Sequence, residues 1–279
     1  MTADNPLKQY FRQPAIYLRL PSGGQFYPPG ALDMPPNQEL PVYPMTAIDE
    51  ITYRTPDALF NGSAVISVIQ SCVPNIKDAW VMPASDVDSV LIAIRIASYG
   101  HNMDFETTCP KCGHQHEQSC DLRLVMDNLK SPDYSKVLNY GDMQLFFKPL
   151  NYKNINENNQ AQFDEQKILQ MLPDSSIPDA DKIQALSNAM KKITEMTVKT
   201  LSQSIAAIKT PQVMVNEPEY IQELLQNCDS QLFAKIRDHV TDIRAKSEMQ
   251  PFDITCPECK NQYKQSLTLD MASFFGLAS

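Results

Sequence analysis

The sequence predicts an α+β protein, mostly helical. Its centre is a four-cysteine zinc ribbon made from two distant β-knuckles, with a helical-bundle insertion between them and an extended N-terminal β arm. Three observations predict this. Two Cys-Pro-x-Cys knuckles, Cys109 to Cys112 and Cys256 to Cys259, sit in matching frames, Phe105-Glu106-Thr107-Thr108 before the first and Phe252-Asp253-Ile254-Thr255 before the second. At the same spacing Gln115, Gln118, Ser119 and Leu122 match Gln262, Gln265, Ser266 and Leu269. Helical periodicity dominates the chain between the knuckles. Proline, with 21 residues against 8 glycines, gathers in the first fifth, where it favours extended, loop-rich backbone.

Residues 1–45 read as that arm. Ile16 to Leu20 is an expected strand, Pro21-Ser22-Gly23-Gly24 a turn, Gln25-Phe26-Tyr27 its return, and Leu40 to Tyr43 a further strand. Residues 46–100 read as a helical core. Thr46 opens a helix with Asp49 three residues on, an acidic form of the capping box, and Pro56 ends it or begins another. Ser63 to Cys72 places Val65, Ile66, Ile69 and Cys72 at helical spacing. A third helix is expected to start after Ser85 as N-cap and to stop at Gly100. It is apolar almost all round, as a buried central helix is. Its one internal cation, Arg95, is expected to snorkel to the surface.

Residues 101–125 and 250–275 read as the two halves of the ribbon, with strands at Phe105 to Thr107 and His116 to Gln118. A short helix is expected from Leu122 to Leu129 and a strand from Met143 to Phe147. Residues 126–249 read as the helical insertion. From Asn151 the chain turns helical and polar, and Pro178-Asp179 starts the longest helix, expected to reach Thr210-Pro211. Its stripe of Ile183, Leu186, Met190, Ile193, Leu201, Ile205 and Ile208 is expected to face core in preference to a partner helix. Helices after Pro218 and after Asp229-Ser230 supply matching faces. The tail Met271 to Phe275 reads as a short apolar helix or strand.

Four thiolates in two C-x-x-C pairs are the ligand set of a closed structural zinc site. Cys109, Cys112, Cys256 and Cys259 are therefore the candidate metal ligands, and Zn2+ is the expected cofactor. Such a metal folds a protein and does not catalyse. One C-x-x-C alone would suit a redox pair equally well; two in matching frames point to zinc. His114 and His116 match Asn261 and Tyr263, so the repeat gives them no ligand role. Cys120 matches Leu267 and reads as a buried strand residue. Cys72 and Cys228 lie on apolar helical faces and read as core thiols. His101 and His239 stand alone and read as structural or solvated.

Seven cysteines, a polar N-terminus without a signal-peptide pattern, and no apolar run long enough for a bilayer suit a reducing compartment with a metal site. A net charge of −9 argues against broad contact with nucleic-acid phosphates. No phosphate loop, nucleophile elbow or H-E-x-x-H pattern is present, so no catalytic residues are assigned and the chain is not expected to be an enzyme. Asp49 and Glu50 point roughly 100° apart on a helix and read as partners of its N-terminal dipole.

Leu20 to Tyr27, Pro44 to Glu50, Asn61-Gly62, Ile92 to Gly100 and Cys109 to Gly113 together resemble the baseplate hub assembly family of contractile-tailed, T-even-like bacteriophages. The resemblance runs from Leu20 to Cys112 and takes in the closing C-x-x-C segment; the helical insertion carries no matching motif. It implies a non-enzymatic tail protein, found in the virion tail baseplate or in the host cytoplasm during assembly. Its implied partners are other tail and baseplate hub proteins, with tape-measure and tail-tube-initiating proteins as candidates. The alternative from another class is a zinc-ribbon nucleic-acid adaptor, which Lys111, Lys260 and Lys264 favour and the net charge opposes. An open-site metalloenzyme is disfavoured, since four thiolates leave no position for water.

Overall fold

The computed structural model describes residues 5–55, 62–171, 179–245 and 251–265. The expectations for Pro56, Asn61, Pro178, Ser266, Leu267, Leu269 and the tail from Met271 lie outside these. The chain divides into two compact units: one holds residues 1–79, 85–130 and 248–279, the other 80–84 and 131–247.

In the first unit β1 (Ile16–Leu18) pairs antiparallel with β2 (Leu40–Val42), burying Leu18, Leu40 and Val42. The expected return strand at Gln25 to Tyr27 does not form. Gly23, Gly24 and Phe26 all take positive φ, which a ladder does not accept. The loop is fixed instead by a buried carboxylate: Asp86 accepts from the Ser22 N–H at 2.9 Å, the Ser22 hydroxyl and the Tyr27 hydroxyl at 3.0 Å.

The helix α1 (Ala47–Tyr53) has the expected capping box. Thr46 Oγ1 accepts from the Asp49 N–H at 3.2 Å, and the Asp49 carboxylate accepts from the Thr46 N–H at 2.8 Å. The next helix, α2 (Ser63–Cys72), buries Val65, Ile66, Val68, Ile69 and Cys72. The apolar helix α3 (Ala84–Tyr99) ends at Gly100, with φ +88°. It starts one residue before the expected Ser85 cap, because the Ala84 N–H already has a partner in Leu150 O at 3.0 Å. Arg95 does not reach the surface. It is 3% exposed, with its guanidinium 5.2 Å from the centroid of Tyr99. With α3 buried nearly all round, the side chain at that position stays inside, where the Tyr99 ring one turn on faces its guanidinium. A long hairpin follows, β3 (Asn102–Thr108) against β4 (Gln115–Asp121), and then α4 (Leu122–Asn128), capped by Asp121.

The second unit is not a pure helical bundle. It contains a four-stranded antiparallel sheet in the order β5 (Leu138–Tyr140), β6 (Met143–Phe147), β7 (Ile205–Lys209), β8 (Met214–Val215). Four helices accompany it: α5 (Tyr152–Met171), α6 (Asp179–Gln203), α7 (Pro218–Asn227) and α8 (Ser230–Ala245). The longest helix therefore stops at Gln203, not at Thr210. Ile205 and Ile208 lie three apart and look helical in sequence, but the register against β6 shifts between Phe146 and Phe147. Ala206 is the extra residue there, so Ile205, Ala207 and Ile208 are all buried without strict alternation. The core joins Leu145 and Phe147 of the sheet to Val198, Leu201, Ile221, Leu225, Ile236 and Val240 of the helices. The front of the expected α6 stripe does not join it: Ile183, Leu186, Met190 and Ile193 are exposed.

The chain returns to the first unit with a last hairpin, β9 (Phe252–Thr255) and β10 (Gln262–Gln265). Among the described residues, no helix is long and apolar enough to cross a membrane.

Candidate metal centre

Each hairpin turns through a knuckle, and the two knuckles are built alike. In the first, the Cys109 N–H donates to His114 O at 2.9 Å and the Gly113 N–H to Cys109 O at 2.9 Å. In the second, the Cys256 N–H donates to Asn261 O at 2.9 Å and the Lys260 N–H to Cys256 O at 3.0 Å. Gly113 and Lys260 occupy the same place and both are left-handed, with φ +73° and +57°. Glycine fits that region freely; lysine there carries the Cβ clash that disfavours it.

The hairpins bring the four sequence-predicted cysteines together. The sulfurs of Cys109, Cys112, Cys256 and Cys259 all lie within 4.8 Å of one another. The shortest approaches cross between the knuckles, 3.6 Å from Cys109 to Cys259 and 3.7 Å from Cys112 to Cys256. Disulfide sulfurs stand about 2.05 Å apart, so none of these pairs is bonded. A tetrahedral thiolate site with metal–sulfur bonds of about 2.3 Å sets its sulfurs about 3.8 Å apart. The four ligand atoms thus fit such a group in number, type and spacing. Burial acts to raise the Cys109 thiol pKa, but the backbone N–H groups of Cys112 and Lys111, with the neighbouring Cys112 and Cys259 sulfurs, bring it below its ordinary value. At Cys112 the His114 N–H acts to lower the thiol, but the Cys259, Cys109 and Cys256 sulfurs and burial push it up to about 12, so the metal-free cluster shares its protons unevenly. Cys109 and Cys256 are buried, and Cys112 is exposed.

Flanking contacts hold the two hairpins face to face. Thr107 Oγ1 lies 3.1 Å from the Tyr263 hydroxyl, which is 3.5 Å from His116 Nε2. His114 stacks on His116 with ring centroids 5.7 Å apart. Neither histidine is in the sulfur cluster. Cys120 is buried in β4 and Cys72 in α2, while Cys228 is half-buried.

One polar centre escaped the sequence reading. Arg12 Nη1 donates to Pro44 O at 2.6 Å and to the Asp49 carboxylate at 3.2 Å; Nη2 donates to Ser71 O and Ser71 Oγ, both at 2.8 Å. It ties the arm to both α1 and α2. No spacing rule signals it, since its partners lie 32 to 59 residues away.

A family model described as T4 bacteriophage base plate protein matches residues 44–276. No curated protein and no solved structure matches the chain.

Proposed function

Because the chain belongs to the family of T4 bacteriophage base plate proteins, and so to the phage tail, we propose that it acts without catalysis in assembling the baseplate hub and that its four clustered cysteines hold a structural zinc ion. The family match, spanning most of the chain, carries the tail role. The residues resembling hub assembly proteins support the narrower one, and the partners are then other hub proteins, met in the host cytoplasm during assembly.

Bound zinc would close the four-thiolate set and leave no position for substrate or water. The chain's own residues do the rest: Cys109 and Cys112 supply one ligand pair, Cys256 and Cys259 the other, and backbone N–H groups favour the thiolate. Residues 101–125 and 250–275 then form one ribbon, a reading the fit of the sulfur spacings supports. The arm of residues 1–45 and the core of residues 46–100 would stand on one side of it in the sequence, and the insertion of residues 126–249 between its halves.

Two experiments test this. Native mass spectrometry before and after chelation, with circular dichroism on the same samples, should give one zinc per chain and loss of folding on its removal. A stable, zinc-free chain rejects the ribbon. An amber mutation in the gene should leave infected cells without completed hubs; normal baseplates in its absence reject the assembly role.

A further inference from the structure

The four sulfurs also have chemistry among themselves. Crosswise they stand 3.6 Å apart, Cys109 to Cys259, and 3.7 Å apart, Cys112 to Cys256. A disulfide needs about 2.05 Å, so each gap closes with about 1.6 Å of sulfur travel shared between two side chains. The knuckles are held for that by contacts outside the cluster. Thr107 Oγ1 meets the Tyr263 hydroxyl at 3.1 Å and the Gln265 side chain at 3.3 Å.

Access is uneven. Cys112 is exposed and Cys259 half-buried, while Cys109 and Cys256 are buried. An oxidant from solvent therefore reaches the pair Cys112 and Cys256 before the pair Cys109 and Cys259. Cys72, Cys120 and Cys228 stand outside the cluster.

Sequence distance favours another pairing. Within a knuckle the cysteines lie three residues apart; crosswise they lie 144 and 150 apart. Closing the short loop costs far less entropy, so in an unfolded chain the bonds within each knuckle should lead by on the order of a hundredfold. Crosswise bonds are the mark of the folded cluster.

We propose that the cluster is a site of oxidative modification, where a peroxide joins Cys112 to Cys256 first and Cys109 to Cys259 second. In each step one sulfur gives an electron pair to a peroxide oxygen, the O–O bond breaks and a sulfenic acid forms. The second sulfur attacks the first and displaces the hydroxyl. One disulfide forms, one peroxide is reduced, and two molecules of water leave. Their two added protons come from the thiols or, where a metal had displaced those, from solvent. The disulfides then hold together the segments that the metal would hold. The chemistry rests on the sulfur spacing alone. Its setting rests on the tail reading, because a particle that leaves a reducing cytosol enters an oxidising medium.

The test treats the full-length protein, freed of reductant, with hydrogen peroxide, both folded and in concentrated urea. Free thiols are capped with N-ethylmaleimide, and the chain is cut with trypsin and a glutamate-specific protease. Lys111 separates Cys109 from Cys112 and Glu258 separates Cys256 from Cys259, so every pairing gives its own peptides in mass spectrometry. The folded chain should yield the Cys112–Cys256 bond first and the Cys109–Cys259 bond next. Urea should move the ratio toward bonds within each knuckle by about a hundredfold. The oxidised chain should keep its helix content in chelator. Bonds within a knuckle leading in the folded chain, Cys109–Cys259 forming first, no disulfide among the four, or helix loss in the oxidised chain overturns the proposal. Zinc is measured in the same samples. Zinc released in step with the crosswise bonds supports both readings. Crosswise bonds in a chain that never held zinc keep this proposal and reject the zinc site. Zinc retained with no disulfide rejects this proposal and leaves the zinc site standing.

Discussion

Phe105 and Phe252 occupy the same position in the two copies of the knuckle repeat, and their rings meet with centroids 6.2 Å apart. His116 and Tyr263, 147 residues apart in the chain, repeat the relationship edge to face. Residues that correspond in sequence touch one another, while the sulfurs approach crosswise, Cys109 to Cys259 and Cys112 to Cys256. This is the pattern of a local two-fold axis passing between the hairpins.

That symmetry has one flaw, Lys260 at the place of Gly113. Lys260→Gly should raise stability by about 0.5 kcal/mol, the left-handed strain relieved less the added freedom of the unfolded glycine. Gly113→Ala should lower it by about 1 kcal/mol. Urea midpoints of the two variants check this, and a fall on Lys260→Gly contradicts it.

Cys109→Ser and Cys256→Ser should each lower metal content and stability together, by more than about 3 kcal/mol. Metal analysis of purified variants alongside denaturation provides the check. Unchanged metal stoichiometry in both rules out the site.

Arg12→Ala should cost about 2–3 kcal/mol, since it removes five hydrogen bonds, one of them to the Cys72 sulfur, and leaves the nearly buried Asp49 carboxylate short of a cation. Arg12→Lys should lose more than half as much, because one ammonium does not span partners on both helices. Equal stability of the wild type and Arg12→Ala in urea would show the tether to be idle.

Alkali should unfold the first unit early. Burial, with Asp49 nearby, pushes the Cys72 thiol up to about 12 from an ordinary 9.0, against the pull of Arg12. Burial and the hydrogen bond to Glu50 push Tyr99 up to about 12. Both groups bind their protons more tightly folded than unfolded, so stability is intact below about pH 9 and falls as pH rises from there toward 12. Denaturant midpoints between pH 8 and 11 measure the slope. Cys72→Ala should flatten it, and an unchanged slope would acquit that thiol.

The knuckles, the capping box at Thr46, and the helices ending at Cys72 and Gly100 were legible because each is written in a few adjacent residues whose chemistry is local. The misreadings share one cause, long-range pairing. At Gln25 to Tyr27, β-prone residues were held out of a ladder by Asp86, some sixty positions on. At Ile205 to Ile208, a bulge against β6 gave a strand the spacing of a helix. The charge of Arg95 predicts a surface position, although α3 is enclosed on that side too. The grouping of the four sulfurs could be foreseen because the repeat itself carried the long-range information.

The order of the thiols along the chain also sets a clock for synthesis. Cys112 precedes Cys256 by 144 residues. At about 5–20 residues per second, the first pair waits roughly 7–30 s on the ribosome for its complement. A nascent chain halted inside the second unit carries only two of the four clustered cysteines and an uncovered Phe105. On the proposed zinc site, metal capture would then act as a proofreading signal, marking chains that have been translated through both copies of the repeat.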